Sequence, residues 1–374
     1  MTIKLWNYIK EYQDEKDEIF TAIRRVLDSG TLILGKNVSK FEDEFSSYCD
    51  VKFGVGVGNG TDALFLSLKA LDTGTGDEVI TVPNTAVPTV SAIVSTGAAV
   101  KFIDVEPKTY LMDTTKIEKA ITDKTKCIVP VHLFGQCVDM DKVNEIAIKY
   151  GLHIIEDCAQ SHGAQFRSKK AGSMSDMAAF SFYPTKVLGC FGDGGMVITD
   201  DESLYERVKR LRFYGMGETY YSKEHGYNSR LDELQAAILL SKLSHLDEYI
   251  SKRRHLAKQY DKLLVETGLI LPETMQGNKH AFYLYVVRHP HRDRIISELR
   301  EKGIIVNISY PWPVHLMPAY RCLGYKEGDF PVAEKAAREI FSLPMYPSLT
   351  DEEQKMVVNA LIEILADGPG LVVS

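Results

Sequence analysis

The sequence predicts an α/β protein with a mostly parallel central sheet, flanking helices and a smaller C-terminal α+β domain. Three observations predict it. Helical and strand signals alternate from about Glu15 to Asp200, the order that a parallel sheet with crossover helices requires. The strand candidates in that stretch are short apolar runs, each ending in polar or glycine-rich residues. The chain has 374 residues, ample for a large core and long enough to divide into more than one domain.

Residues 1–14 form an N-terminal segment in which polar and apolar residues alternate, without the apolar stretch of a signal peptide. Residues 15–28 read as an amphipathic helix stopped at Ser29-Gly30. Residues 61–71 read as a second helix, with Thr61 as N-cap and Leu64, Leu68 and Leu71 on one face. Strands follow at 79–82, 100–103, 127–131, 153–156, 178–182 and 196–199. Ligands of such sheets bind beyond the carboxyl ends of the strands, where Asp157 and the segment from Ser181 to Lys186 lie. Residues 231–260 read as one long helix, apolar at Leu231, Leu234, Ile238, Leu243 and Leu246, bridging to the smaller domain. There, strands at 282–287 and 304–308 flank a helix at 292–302. Thr350 and Glu353 form a capping box for a last helix reaching about Leu365. The expected division is 1–14, a large domain at 15–245, and a smaller domain at 246–374.

Composition excludes several classes. The net charge of -7 is the wrong sign for a nucleic-acid binder, so any anionic ligand is held by local groups and not by the overall field. The cysteines at 49, 127, 137, 158, 190 and 322 include no C-x-x-C and no zinc-site spacing. They read as reduced thiols of a cytoplasmic protein, and no metal site is expected. No apolar run is long enough to span a bilayer.

Five blocks carry chemistry. The first is Ser181-Phe182-Tyr183-Pro184-Thr185-Lys186, followed by Gly189, Gly192, Gly194 and Gly195. A lysine after a buried strand is unusual, because burying an unpartnered ammonium is costly. Glycines clear space where another body lies against the backbone. A Schiff-base lysine working on a carbonyl is the leading reading; surface placement is the bland one. Glu156-Asp157-Cys158-Ala159-Gln160 sits at a strand end, where an acidic pair is as often a helix cap as a site. Beside Lys186 it fits a pyridoxal phosphate enzyme, which needs a carboxylate against the pyridine nitrogen and a donor near the ring hydroxyl. Asp157 suits the first role and Gln160 the second, and Ala159 is small enough to lie against a ring face.

The third block, Gly54 to Asp62, lacks the G-x-G-x-x-G register of a dinucleotide fingerprint. Its glycine-to-helix junction makes an anion site, with Ser181 as a further hydroxyl donor. Taken alone it is a turn and an N-cap. Tyr227-Asn228-Ser229-Arg230 alone reads as a helix start capped by Asn228, with Arg230 paired to a surface carboxylate. Tyr310-Pro311-Trp312-Pro313-Val314-His315-Leu316-Met317-Pro318 is a proline-bracketed aromatic loop around a histidine. A lone histidine is usually structural, but Tyr310, Trp312 and His315 together suit a sugar-binding wall.

Together and in this order, these blocks resemble the DegT/StrS-type sugar aminotransferases, a group of fold type I pyridoxal phosphate enzymes. The match runs through a glycine–threonine loop, E-D-x-A-Q, S-F-x-x-x-K, a glycine run, Y-N-x-R and P-x-H-x-x-P, across almost the whole chain. The resemblance implies a fold type I aminotransferase architecture and a homodimer with shared active sites. It implies that Lys186 forms the Schiff base with the cofactor, that Asp157 pairs with the pyridine nitrogen, and that Gln160 reaches the ring hydroxyl. Gly60, Thr61, Asp62 through its backbone, and Ser181 would hold the phosphate, with Asn228 supplied by the partner subunit. Tyr183, Arg230, Tyr310 and His315 would face a nucleotide-linked keto-sugar, and glutamate would be the amino donor.

Two departures stand out. Ala86 sits where many members carry a ring-stacking aromatic, which leaves that face to Val87 or a neighbour, and Asp193 replaces a common glutamate. The run Asn84-Thr85-Ala86-Val87-Pro88-Thr89 resembles the subset acting on 3-keto-6-deoxy sugars. The expected product is a 3-amino-3,6-dideoxyhexose for surface-polysaccharide or antibiotic biosynthesis. The alternatives are amination at C-4, a same-fold dehydratase, in which a histidine replaces the lysine, and a non-catalytic regulator.

Overall fold

The computed structural model describes residues 2–218 and 220–366. Its centre is a seven-stranded sheet of β1 (Phe53–Val57), β2 (Glu78–Thr81), β3 (Ala99–Phe102), β4 (Thr125–Ile128), β5 (His153–Asp157), β6 (Met177–Ser181) and β7 (Gly195–Thr199). The spatial order is β1-β7-β6-β5-β4-β2-β3. β7 runs antiparallel to both neighbours, and the other pairings are parallel. The mostly parallel sheet is therefore as expected. Its members are almost wholly buried, which is why they read as plain apolar runs without alternation.

The first half of the chain holds α1 (Tyr8–Ser29), α2 (Lys36–Tyr48), α3 (Gly60–Ala70), α4 (Val87–Ser95), the single turn α5 (Ile117–Ala120), α6 (Met140–Tyr150) and α7 (Glu202–Leu211). Gly30, at φ 69, ends α1 in the left-handed region where a glycine carries no Cβ penalty. The start of α1 is earlier than expected, because the Asn7 side chain accepts from the Lys10 N–H and caps the helix there. Half of the expected 1–14 segment is thus helical. Asn59, not Thr61, caps α3, its side chain accepting from the Asp62 N–H. Of the glycines before it, Gly54 and Gly56 lie in β1, and only Gly58 remains outside the strand.

The expected helix at 231–260 is two helices, α8 (Glu233–Leu243) and α9 (Leu246–Leu264). The Ser244 hydroxyl donates to the Ser241 carbonyl at 2.7 Å, the local competition with the helical ladder that serine offers. Beyond the break lie β8 (Tyr285–Arg288), α10 (Arg292–Glu301), α11 (Pro331–Glu339), β9 (Ile340–Leu343) and α12 (Asp351–Ala366). β8 and β9 pair antiparallel. Residues 304–308 do not form a strand; Ile304 bridges to Ile3 and Asn307 to Ser342, so the segment changes partner before a ladder can grow. The capping box of α12 is present, with Thr350 N–H to Glu353 at 2.9 Å and Glu353 N–H to Thr350 Oγ1 at 3.1 Å.

Two hydrophobic cores result. The larger surrounds the sheet. The smaller joins Leu256 and Tyr260 of α9 to Tyr285, Phe341, Leu361 and Ile3. No helix among the described residues is long and apolar enough to cross a membrane.

Candidate active site

The carboxyl ends of the sheet strands open into a cavity of about 350 Å³ whose wall includes Lys186, Asp157, Gln160, Thr61 and Ser181. The switch in β7 direction places the β5 and β6 ends beside the start of α3. The backbone there is crowded. A Cβ on Gly60 would come within 2.6 Å of the Ser181 Cβ, and one on Gly195 would run into the Asn59 carbonyl. The body for which the glycines make room is thus the chain itself: β6 and β7 are pressed against the first turn of α3.

That turn has the make-up of an anion cradle. Asn59 takes the Asp62 N–H through its side chain at 2.8 Å and the Ala63 N–H through its carbonyl at 3.0 Å. The N–H groups of Gly60 and Thr61 precede the helical ladder and point outward at the positive end of the helix. The Ser181 hydroxyl lies against Gly60. Asp62 departs from expectation, because its N–H belongs to Asn59 and its carboxylate accepts from the Ser229 hydroxyl at 2.6 Å. It shapes the turn and offers the cavity no donor.

The acidic pair on β5 divides its roles because neighbouring strand residues face opposite ways. Glu156 points into the core and is fully buried. It contacts His132 Nε2 at 2.8 Å and accepts from Gly172 N–H, Met174 N–H and the Ser175 hydroxyl at 2.8 to 2.9 Å. Asp157 points into the cavity. It accepts from the Thr89 hydroxyl at 2.8 Å and the Ala159 N–H at 3.1 Å, and Thr85 stands behind Thr89 at 2.8 Å. Burial holds the Asp157 carboxyl above the usual carboxylate range despite those donors. Among the described residues, His132, Glu156 and Cys158 approach one another. The Glu156 oxygens are already spent on core donors, and burial raises the Cys158 thiol.

Lys186 lies across the cavity. Its Nζ is 4.6 Å from the centre of the Tyr283 ring, and the Tyr283 hydroxyl is 3.1 Å from Thr185 Oγ1. Lys186 also borders a second cavity of about 250 Å³ reaching toward α1 and α9, to which no other expected site residue contributes. Gln160 accepts from the Phe134 N–H at 2.8 Å and donates to the Tyr310 hydroxyl at 2.7 Å. Tyr310 therefore stands inside the cavity next to Gln160, where burial raises its phenol. Ala159 and Ala86 both line the cavity, with Pro88 beside Ala86. Val87, the other residue considered for the face that the resemblance left without an aromatic, does not line the cavity and is 38% exposed. Tyr183, 53% exposed, stands at the mouth.

Three expected residues are elsewhere. His315 is buried against Phe330 and contacts Glu334 at 3.2 Å. It braces its loop and does not face the cavity. Arg230 stacks on Phe213 at 5.2 Å and pairs with no carboxylate among the described residues. Asn228 is exposed, bridges to Phe213, and caps no helix, since α8 starts later at Glu233. Neither Asn228 nor Arg230 lines this chain's own cavity. Sequence reasoning missed Asn59, Thr89, Tyr283, Asn307 and Ser309, all on the cavity wall. Asn59 and Thr89 had a signal, being polar residues at helix starts. The others become neighbours only through the tertiary fold.

The profile of the DegT/DnrJ/EryC1/StrS aminotransferase family matches residues 13–362. The chain belongs to this family. A dTDP-3-amino-3,4,6-trideoxy-α-D-glucose transaminase of Micromonospora megalomicea is 52% identical, over 98% of this chain and 99% of its own. A pleiotropic regulatory protein of Geobacillus stearothermophilus is 43% identical, over 97% of this chain and 98% of its own. The Streptomyces venezuelae DesV structure, solved with a ketimine intermediate, superposes with a TM-score of 0.97 at 42% identity, covering 98% of this chain and 100% of that one. The fold is that of the pyridoxal phosphate aminotransferases in this family.

Proposed function

We propose that this aminotransferase moves an amino group from glutamate to C-3 of a nucleotide-linked 3-keto-6-deoxyhexose, carried on dTDP. The product is a 3-amino-6-deoxy sugar for a surface polysaccharide or an antibiotic. The enzyme is pyridoxal phosphate-dependent. The observation that carries the reading is the meeting of Lys186, Asp157 and the open first turn of α3 in one cavity. The relative with 52% identity is named for a sugar with its amine on C-3, which favours C-3 over C-4.

The residues fit the cofactor. Gly60 and Thr61 N–H groups with the Ser181 hydroxyl suit a phosphate dianion. Asp157 suits the pyridine nitrogen, and Gln160 the ring hydroxyl. Ala159 and Ala86 leave room for a flat ring. When bound, the cofactor supplies the carbonyl that carries the amino group and the electron-accepting ring. Lys186 would hold the cofactor covalently, and its amine, when free, would move the proton within the cavity. Asp157, already raised by burial, gains the cation that lets it stay ionised. Thr89 and Ala159 N–H keep its carboxylate aimed. Tyr183 and Tyr310 offer aromatic faces to a sugar.

Asn228 and Arg230 serve the cavity of a second copy in this reading, which makes the enzyme a homodimer. Large exposed side chains support it: Phe20 and Leu27 of α1 are 54% and 58% exposed, and Tyr221 is 64% exposed. The reduced cysteines support a cytoplasmic site.

A regulator reading has the name of the Geobacillus relative in its favour. Against it stands a complete set of reactive groups, with lysine where the related dehydratases carry histidine. Incubation with glutamate and dTDP-linked 3-keto and 4-keto sugars, followed by NMR of the product, tests the proposal. A new amine on C-3 is expected. An amine on C-4 overturns the regiochemistry. A protein that gains no visible absorbance with pyridoxal phosphate supports the regulator.

A further inference from the structure

Tyr283 stands in the loop entering β8, and no motif marks it. Its ring centre is 4.6 Å from Lys186 Nζ, within the roughly 6 Å over which an aromatic face attracts a cation. Its hydroxyl meets Thr185, the residue before Lys186, at 3.1 Å. The loop is also held from behind. Arg253 of α9, itself buried, donates through Nη1 to the Tyr283 carbonyl at 3.1 Å, the Phe282 carbonyl at 3.3 Å and the Met345 carbonyl at 2.8 Å. The Phe282 ring stacks on His280 at 4.0 Å. One aromatic face is thus fixed against the lysine by Thr185 on one side and by Arg253 behind the loop.

We propose that Tyr283 is a positioning residue for Lys186. Its ring faces the lysine nitrogen and holds it in place in the cavity whenever that nitrogen is not bound to the cofactor. Its hydroxyl ties the ring to Thr185, so lysine and ring keep one spacing. The inference rests on the reading of Lys186 as the reactive lysine. Other charges also face Lys186: Asp157 and Asp193 in the same cavity, and Glu11, Glu15, Lys242 and Arg253 in the second. They are unchanged by substitutions at Tyr283, so a difference between variants reports the ring.

The test uses the full-length enzyme in its pyridoxamine phosphate form, made with glutamate, in which the Lys186 amine is free. Acetylation of Lys186 by sulfo-N-hydroxysuccinimidyl acetate at pH 7 is followed by peptide mass spectrometry. Losing the π face releases the lysine nitrogen from its hold, so Tyr283→Leu labels faster by about 2- to 30-fold. Tyr283→Phe keeps the ring and labels within a factor of about two of the parent. 4-Cyanophenylalanine at the same position keeps the shape, withdraws electron density, and labels faster than Tyr283→Phe. A purely structural role predicts no difference between those two rings. Equal rates for the two ring variants overturn the proposal, and this pair decides the matter if Tyr283→Leu does not fold. Should borohydride reduction fix the cofactor on a different lysine, it is the reading of Lys186 that fails.

Discussion

Asp157 and Lys186 place opposite demands on the same cavity. Burial raises the Asp157 carboxyl above its usual range, so folding favours its protonated form. Its unfavourable effect on the apoprotein is absent at acid pH and grows as pH rises from the ordinary carboxylate range through its raised value. Asp157→Asn removes that titration. In thermal melts of the apoprotein, its stability is expected to depend less on pH and to equal or exceed the parent's at pH 7. Turnover is expected to fall far more than affinity for the phosphate-anchored cofactor. An apoprotein clearly less stable than the parent contradicts this account. Lys186→Ala is expected to abolish turnover while the circular dichroism spectrum and melting behaviour stay near the parent's. Thr89→Val removes one donor to Asp157 and is expected to cost about 1 kcal/mol in stabilising the ionised carboxylate, read as weaker cofactor binding with an unchanged fold.

At the scale of elements, the proposed anion site sits at the junction of β1 and α3. Gly60→Ala puts a Cβ 2.6 Å from Ser181 Cβ and is expected to displace the Ser181 hydroxyl from the cradle. Equilibrium titration is expected to show weaker cofactor binding by about tenfold or more, the equivalent of about 1.4 kcal/mol; unchanged affinity contradicts the assignment. The capping box of α12 acts only on stability, and Thr350→Ala is expected to cost about 0.5–2 kcal/mol with unchanged turnover. Six of the sheet's strands were legible because buried strands are apolar runs bounded by turn residues; β1 was missed because Gly54 and Gly56 interrupt its apolar run. α2 was missed although Val38, Phe41 and Phe45 show helical spacing, since the Gly35 cap gives no side-chain signal. The break between α8 and α9 depends on one serine hydroxyl turning back on its helix, a choice that periodicity does not record. The cap of α3 was misplaced by two residues because Asn59, Thr61 and Asp62 are all acceptable caps.

At the scale of the whole molecule, we propose that the chain divides at the α8–α9 break, close to the expected 245–246. The smaller core begins with α9 and recruits Ile3 from the N-terminal segment. The reactive groups were legible as motifs. His315 was misread because a proline-bracketed histidine looks the same whether it faces a ligand or Glu334. The positions of Asn228 and Arg230 outside their own chain's cavity suit a site completed by a partner. Mixing Asn228→Ala with Lys186→Ala subunits is expected to restore activity to the mixed dimer through its one intact site; no recovery contradicts the shared site. The most direct test of the central claim is borohydride reduction of the pyridoxal phosphate-loaded enzyme, followed by peptide mapping. The cofactor mass is expected on the peptide containing Lys186, and a label on another lysine, or no label, would contradict the account.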